Sequence, residues 1–395
     1  MRFRGLKIGI PKEIMEGERR VAATPETVAR MTGEGAEVLV EREAGKGSCL
    51  CDQDYLKAGA TILDKASVLY EQSDIILKVK EPLFSAAAGM HEVDMLKPKQ
   101  YLITFIHPAS PSNHEMVKKL AARGVISLSL DSIPRITRAQ AMDALTSMST
   151  VAGYKAVLMA ADTEPKFMPM MGTAVGMIAP SKVLVVGAGV AGLQALATAK
   201  RLGAEVLAAD IRPDAREQAR SLGAKVVELG IPADIAVGEG GYARSLPDSW
   251  LSQERDRLRE AVAQIDILIL SALIPGKIAP VLVDSQMVRS MKAGAIIVDI
   301  AIDQGGNCEW TEGGKIIDIE GIHIIGTKNI PGMVPVSSTW MFARNIYNFL
   351  AHIVKDSSLV LDTADEIVSS ALVTREGKVV HKGALEAMNE SGKRK

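Results

Sequence analysis

Cysteine is scarce here: the 395 residues hold three, Cys49, Cys51 and Cys308. They are too few for a disulfide framework and suggest no metal site, so a secreted disulfide scaffold is excluded and a reducing compartment is expected. The six histidines are scattered with no ligand spacing among them, and no metal is expected. Neither sign of charge dominates. Lys plus Arg is 46, Asp plus Glu is 47, and the net charge of −1 lacks the basic footprint of a nucleic-acid binder. No apolar run reaches membrane-spanning length, and the chain opens on strand-like Lys7-Ile-Gly-Ile10 without an apolar leader, so a cytosolic protein is expected. What is present is apolar bulk: 47% hydrophobic residues, ample for two or three domains with cores of their own.

Strand-like runs alternate with helical patterns along most of the chain, the signature of α/β architecture with parallel sheets. In the N-terminal stretch strands are expected at 7–10, 36–41, 75–79, 101–106 and 125–130, with helices such as 25–34 and 114–123 between them. A long helix reaching about Ala161 would carry the chain into a second domain, through a connector at 164–180 whose Met168, Met170 and Met171 are expected to pack. The second sheet would use strands near 183–186, 206–209, 225–228, 265–270, 295–300 and 322–325. Residues 230–254 read as a long Gly-rich loop, and 338–354 as an amphipathic helix. The expected fold is therefore two Rossmann-like domains with parallel sheets and a cleft between them: 1–145 plus 334–395, and 146–333.

The sharpest signal is Val183-Leu-Val-Val-Gly-Ala-Gly-Val-Ala-Gly192. Four apolar residues end on G-x-G-x-x-G and a helix follows. Gly187 permits the tight turn, Gly189 lets backbone approach a pyrophosphate, and Gly192 allows close helix–strand packing. N–H groups at the helix start, from Val190 onward, would face the diphosphate. Asp210, at the end of the next strand, can accept from the adenosine ribose hydroxyls and would repel a 2′-phosphate, so NAD(H) is the expected cofactor. Arg212 could tolerate such a phosphate but reads equally as a solvated loop charge. The segment Ala272-Leu-Ile-Pro-Gly276 follows a strand of the same sheet, which would bring Leu273 to its ligand edge near the nicotinamide.

Other polar residues fall at expected strand ends. Arg20, Lys80, His107 and Asp303 could together serve an amino or keto acid: two cations for a carboxylate and a histidine for the proton. Singly, each reads as well as a surface or structural residue. A second group is Arg135, Gln140 and Asp143. Arginine suits diphosphate or carboxamide contacts and glutamine both donates and accepts, but a solvated helix N-terminus explains them at least as well.

Taken together, these residues resemble the family shared by alanine dehydrogenase and the NAD(H)-binding component of proton-translocating nicotinamide nucleotide transhydrogenase. The resemblance covers nearly the whole chain, through Ile10-Pro-Lys-Glu13, Arg20-Val-Ala-Ala-Thr-Pro25, Lys78-Val-Lys-Glu-Pro82, the glycine fingerprint, Ala272–Lys277 and Asp299–Gly306. It implies that Arg135, Gln140 and Asp143 are the trio that embraces the nicotinamide and presents it to a partner's NADP. It also implies that Gly241 and Tyr242 belong to a mobile loop closing on the nucleotide. On this branch the chain would be a homodimeric subunit, active only with membrane-spanning and NADP(H)-binding partner subunits, on the inner face of a membrane. Arg20, Lys80, His107 and Asp303 match the substrate and catalytic positions of alanine dehydrogenase, so a self-sufficient L-alanine dehydrogenase is the alternative.

Overall fold

The computed structural model describes residues 1–238, 241, 243–274 and 278–393, with side chains through Asn389. The chain divides into two compact units, Met1–Met148 with Gly332–Lys395, and Ser149–Pro331.

Among the described residues, the first unit is built on an eight-stranded sheet. Its six parallel strands run in the order Ile126–Ser129, Tyr101–Thr104, Ile75–Leu77, Lys7–Ile10, Glu37–Glu41, Thr61–Leu63. The tail adds Leu372–Arg375 and Lys378–Val379 antiparallel at one edge, a departure from the all-parallel expectation. Apolar residues on both sheet faces are buried, as a sheet covered on both sides requires. The helix Pro335–Ile353 returns its Phe342, Ile346, Phe349, Leu350 and Ile353 to this core, a 3.6-period stripe.

The second unit carries a seven-stranded sheet in the order Lys225–Val226, Glu205–Ala209, Lys182–Val186, Ile267–Leu270, Ile296–Asp299, Ile322–Ile325, Ile316–Ile319; the last strand is antiparallel. In both units the order reverses beside the first strand: between Lys7–Ile10 and Ile75–Leu77, and between Lys182–Val186 and Ile267–Leu270. Carboxyl ends of strands at such a reversal are where α/β sheets bind ligands.

Three expectations are corrected. The span 230–254 is not a loop throughout, because Ala233–Ala236 and Asp248–Gln264 are helical. The connector 164–180 contains an antiparallel hairpin, Met171–Thr173 with Gly176–Ile178. Only Met168 of its three methionines expected to pack is buried; Met170 and Met171 are exposed.

Candidate functional site: a dinucleotide cradle and an exposed polar turn

In the second unit the strand Lys182–Val186 runs directly into the glycine loop. Gly187 has φ of +90°, and a Cβ there would lie 2.7 Å from the Ala272 nitrogen. A Cβ on Gly192, in the first turn of the helix Val190–Arg201, would lie 1.9 Å from the Gly187 carbonyl oxygen. Ser271 Oγ donates to that same oxygen at 2.7 Å. Gly189, just before the helix, faces open space: its nearest Cβ contact is Arg212 Nη2 at 3.9 Å. Two glycines are thus demanded by packing, while the third leaves room at a helix N-terminus for a diphosphate. Val190 opens the helix half-buried.

Asp210 is buried, 6% exposed. Its Oδ2 accepts from Ala188 N–H at 2.8 Å and Arg212 Nη2 at 2.8 Å; its Oδ1 accepts from Arg212 N–H at 2.8 Å and Nε at 3.0 Å. These four donors saturate a carboxylate. A ribose hydroxyl reaches Asp210 by displacing the guanidinium, so Arg212 is a guard on the acid and not a free loop charge. Leu273 is 36% exposed, and the segment carrying it is pinned by buried Asn307. Asn307 Oδ1 accepts from Ala272 N–H at 2.9 Å, and its Nδ2 donates to the Ala272 and Pro280 carbonyls. Asp299 in turn holds Asn307 and Cys308 by their N–H groups at 2.8 and 3.1 Å, shaping the Gly305-Gly306 turn. Asp303 sits exposed on the 3₁₀ turn Ile300–Gln304, 3.4 Å from Asn329 N–H. Gly241 is exposed with φ of +75°; Tyr242 lies outside the described residues.

The first unit gathers the other candidates. Arg135 is exposed, and Gln140 is exposed on the 3₁₀ turn Thr137–Met142. The turn is held firmly: Asn345 and Asn348 each donate Nδ2 to the Ala141 carbonyl at 3.0 Å. Arg138 pairs with Asp365 of the tail at 2.8 Å, an ion pair that draws the Asp365 carboxyl down to about 2. Asp143 accepts from Thr146 N–H at 2.8 Å and Oγ1 at 2.6 Å, capping the long helix Ala144–Thr163.

Arg20 is buried, 2% exposed, against Glu18: Nε to Oε1 2.8 Å and Nη2 to Oε2 2.5 Å, with Nη1 on Met148 Sδ at 3.0 Å. Glu13 and Glu18 line a cavity of about 230 Å³ with Arg19, Arg20, Lys12 and Lys46. Lys80 is half-buried, and its ammonium has no partner among the described residues. His107, at φ of +49°, lies with Nδ1 2.8 Å from Asp131 Oδ1. Burial opposes the imidazolium, but Asp131 outweighs it and raises His107 above its ordinary value. Burial likewise opposes the carboxylate, yet His107 and hydrogen bonds hold Asp131 well below the carboxylate range.

Sequence reasoning missed Asp131, which stands in a featureless 3₁₀ turn. It also missed the buried cluster beneath Lys80: Lys78 Nζ lies 2.8 Å from Glu92 and 3.4 Å from Glu13, and Tyr70 donates to Glu92 at 2.9 Å. Lys78 was legible only within its motif.

The N-terminal domain of the alanine dehydrogenase/PNT family matches residues 9–152, and its C-terminal domain matches residues 156–382. The chain is 42% identical over 379 residues to an NAD(P) transhydrogenase subunit alpha chain of Rhodospirillum rubrum, covering 95% of this chain and 98% of that one. It is 31% identical over 381 residues to alanine dehydrogenase of Mycolicibacterium smegmatis, covering 94% of each. Its fold superposes on the crystal structure of transhydrogenase from Sinorhizobium meliloti with a TM-score of 0.82 at 39% identity, over 95% of this chain and all of that one. With both domains matched and nearly its whole length aligned, the chain belongs to the alanine dehydrogenase/PNT family.

Proposed function

We propose that this chain is the NAD(H)-binding subunit of a proton-translocating NAD(P) transhydrogenase, passing hydride directly between NADH and NADP+ held on a partner subunit. The observation that carries the reading is the exposed Arg135–Gln140 turn, anchored from behind by Asn345, Asn348 and Asp143, in a chain 42% identical to a transhydrogenase subunit alpha. Bound NADH supplies the hydride, and that step needs no protein acid or base. The chain's own residues then have one task, placing the nicotinamide where a second ring can meet it. Gly187, Gly189 and Gly192 admit the diphosphate, Asp210 takes the ribose once Arg212 moves, and Gln140 and Arg135 fix the carboxamide. No described helix is long and apolar enough to cross a membrane; membrane-spanning and NADP(H)-binding partner subunits supply proton translocation and hold this chain at the cytoplasmic face. A second copy of the chain covers the hairpin 171–178, whose Val175 is 97% and Met177 70% exposed.

The second reading, L-alanine dehydrogenase, draws support from the unpartnered Lys80 near His107. It is weakened by Arg20, whose guanidinium nitrogens are already engaged by Glu18 and Met148. A substrate carboxylate would have to break that buried pair.

Replacing Gln140 with Asn tests the placing role. Hydride transfer to the NADP-loaded partner should slow about 100-fold while NADH binding stays near the wild-type value. Equal losses in rate and binding would remove Gln140 from the role.

A further inference from the structure

Glu254 takes no part in anything described so far. It lies on the helix Asp248–Gln264 in line with Leu258 and Val262, four and eight residues on, both fully buried in the core of the second unit. That helical spacing calls for an apolar residue at 254. Instead a carboxyl is 5% exposed there, with no hydrogen bond or ion pair to any described residue. A carboxyl so placed is costly unless something outside the chain pairs with it. The charges that reach it are those of Asp210, from the end of strand Glu205–Ala209, and Arg255, its neighbour on the helix. Asp210 therefore stands close to a second acid. The two differ in one respect: Asp210 is saturated by Ala188 and Arg212, whereas Glu254 has its full accepting capacity unused.

We propose that Glu254 is a second acidic contact to the adenosine half of NAD(H), accepting a hydrogen bond from a ribose hydroxyl or the adenine amino group beside Asp210. The inference rests on Asp210 being the ribose-facing acid. It makes the pocket doubly unfavourable to a 2′-phosphate, which would meet two carboxyls with Arg212 already engaged by one of them. Burial pushes the Glu254 carboxyl up to about 7, with Asp210 adding to the rise and Arg255 opposing it. Near neutrality it is thus both acceptor and, when protonated, donor to a hydroxyl.

The test is fluorescence titration of wild type, E254Q, E254A and D210N with NADH, its 6-deamino analogue and NADPH, with thermal melting to check folding. E254A should weaken NADH about tenfold, E254Q should lose less, and both should narrow the gap between NADPH and NADH. A loss shared by NADH and the deamino analogue assigns the contact to the ribose; a loss confined to NADH assigns it to the amino group. If both Glu254 variants fold and bind all three nucleotides as wild type does while D210N weakens NADH, the inference is overturned and Glu254 is structural. If D210N also leaves NADH unchanged, the assignment of Asp210 falls as well.

Discussion

Gly189 and Gly192 belong to one fingerprint but answer to different forces, and substitution separates them. A methyl on Gly192 meets a backbone carbonyl at 1.9 Å, so Gly192→Ala should cost about 1–3 kcal/mol through overpacking and lose nucleotide binding with it. A methyl on Gly189 meets open space, so Gly189→Ala should melt like wild type and lose only NADH affinity. Melting curves beside NADH titrations check both; equal destabilisation would mean that neither glycine is there for the ligand. The His107–Asp131 pair is a second residue-scale case. A histidine raised by its partner stabilises the fold below its ordinary value of about 6.5, and that contribution fades as pH rises through its folded value. A depressed aspartate stabilises above about 3.9, fading as pH falls through its folded value. The pair's contribution is therefore complete from about pH 4 to 6.5. Asp131→Asn should lower the His107 titration midpoint seen by NMR and lose most stability in that window; an unmoved midpoint would show that Asp131 does not hold the ring. His107 was legible as a polar residue closing an apolar run. Asp131 was not, because two parallel strands, and no local spacing, bring residues 107 and 131 together.

Among the elements, long apolar runs were legible and short or edge strands were not. Lys182–Val186 and Ile267–Leu270 are buried on both faces and read as unbroken hydrophobic stretches. Thr61–Leu63 and Ile316–Ile319 carry too few buried residues to show a period. The hairpin 171–178 exposes every strand residue, so no burial pattern marks it. The helix Asp248–Gln264 was hidden by its own polarity. Its apolar stripe is broken by Glu254, the residue that stands beside Asp210. The polar turn shows the converse: a bland reading, a helix N-terminus, holds for Asp143, whose carboxylate caps Ala144–Thr163. Asp143→Ala should cost about 1 kcal/mol by urea unfolding, and Asp143→Asn should retain the cap. Equal stability of the alanine variant would contradict the capping role.

Across the whole molecule, each unit has its own buried clusters and its own sheet reversal, but only the second carries the glycine cradle. The chain so described is half of a reaction, a donor site without a comparable second dinucleotide site among the described residues. Assembly belongs to this scale too. Val175→Asp with Met177→Asp on the exposed hairpin should convert a dimer to a monomer in light scattering; an unchanged mass would place the interface elsewhere. The most direct measurement of the central claim is absorbance at 340 nm with the purified chain, given NAD with L-alanine, then NADH with pyruvate and ammonia. The expected result is NADH binding with no turnover in either direction, and oxidation of NADH once the NADP-loaded partner subunit is added. Robust turnover in both directions by the chain alone would contradict it and make the protein an alanine dehydrogenase.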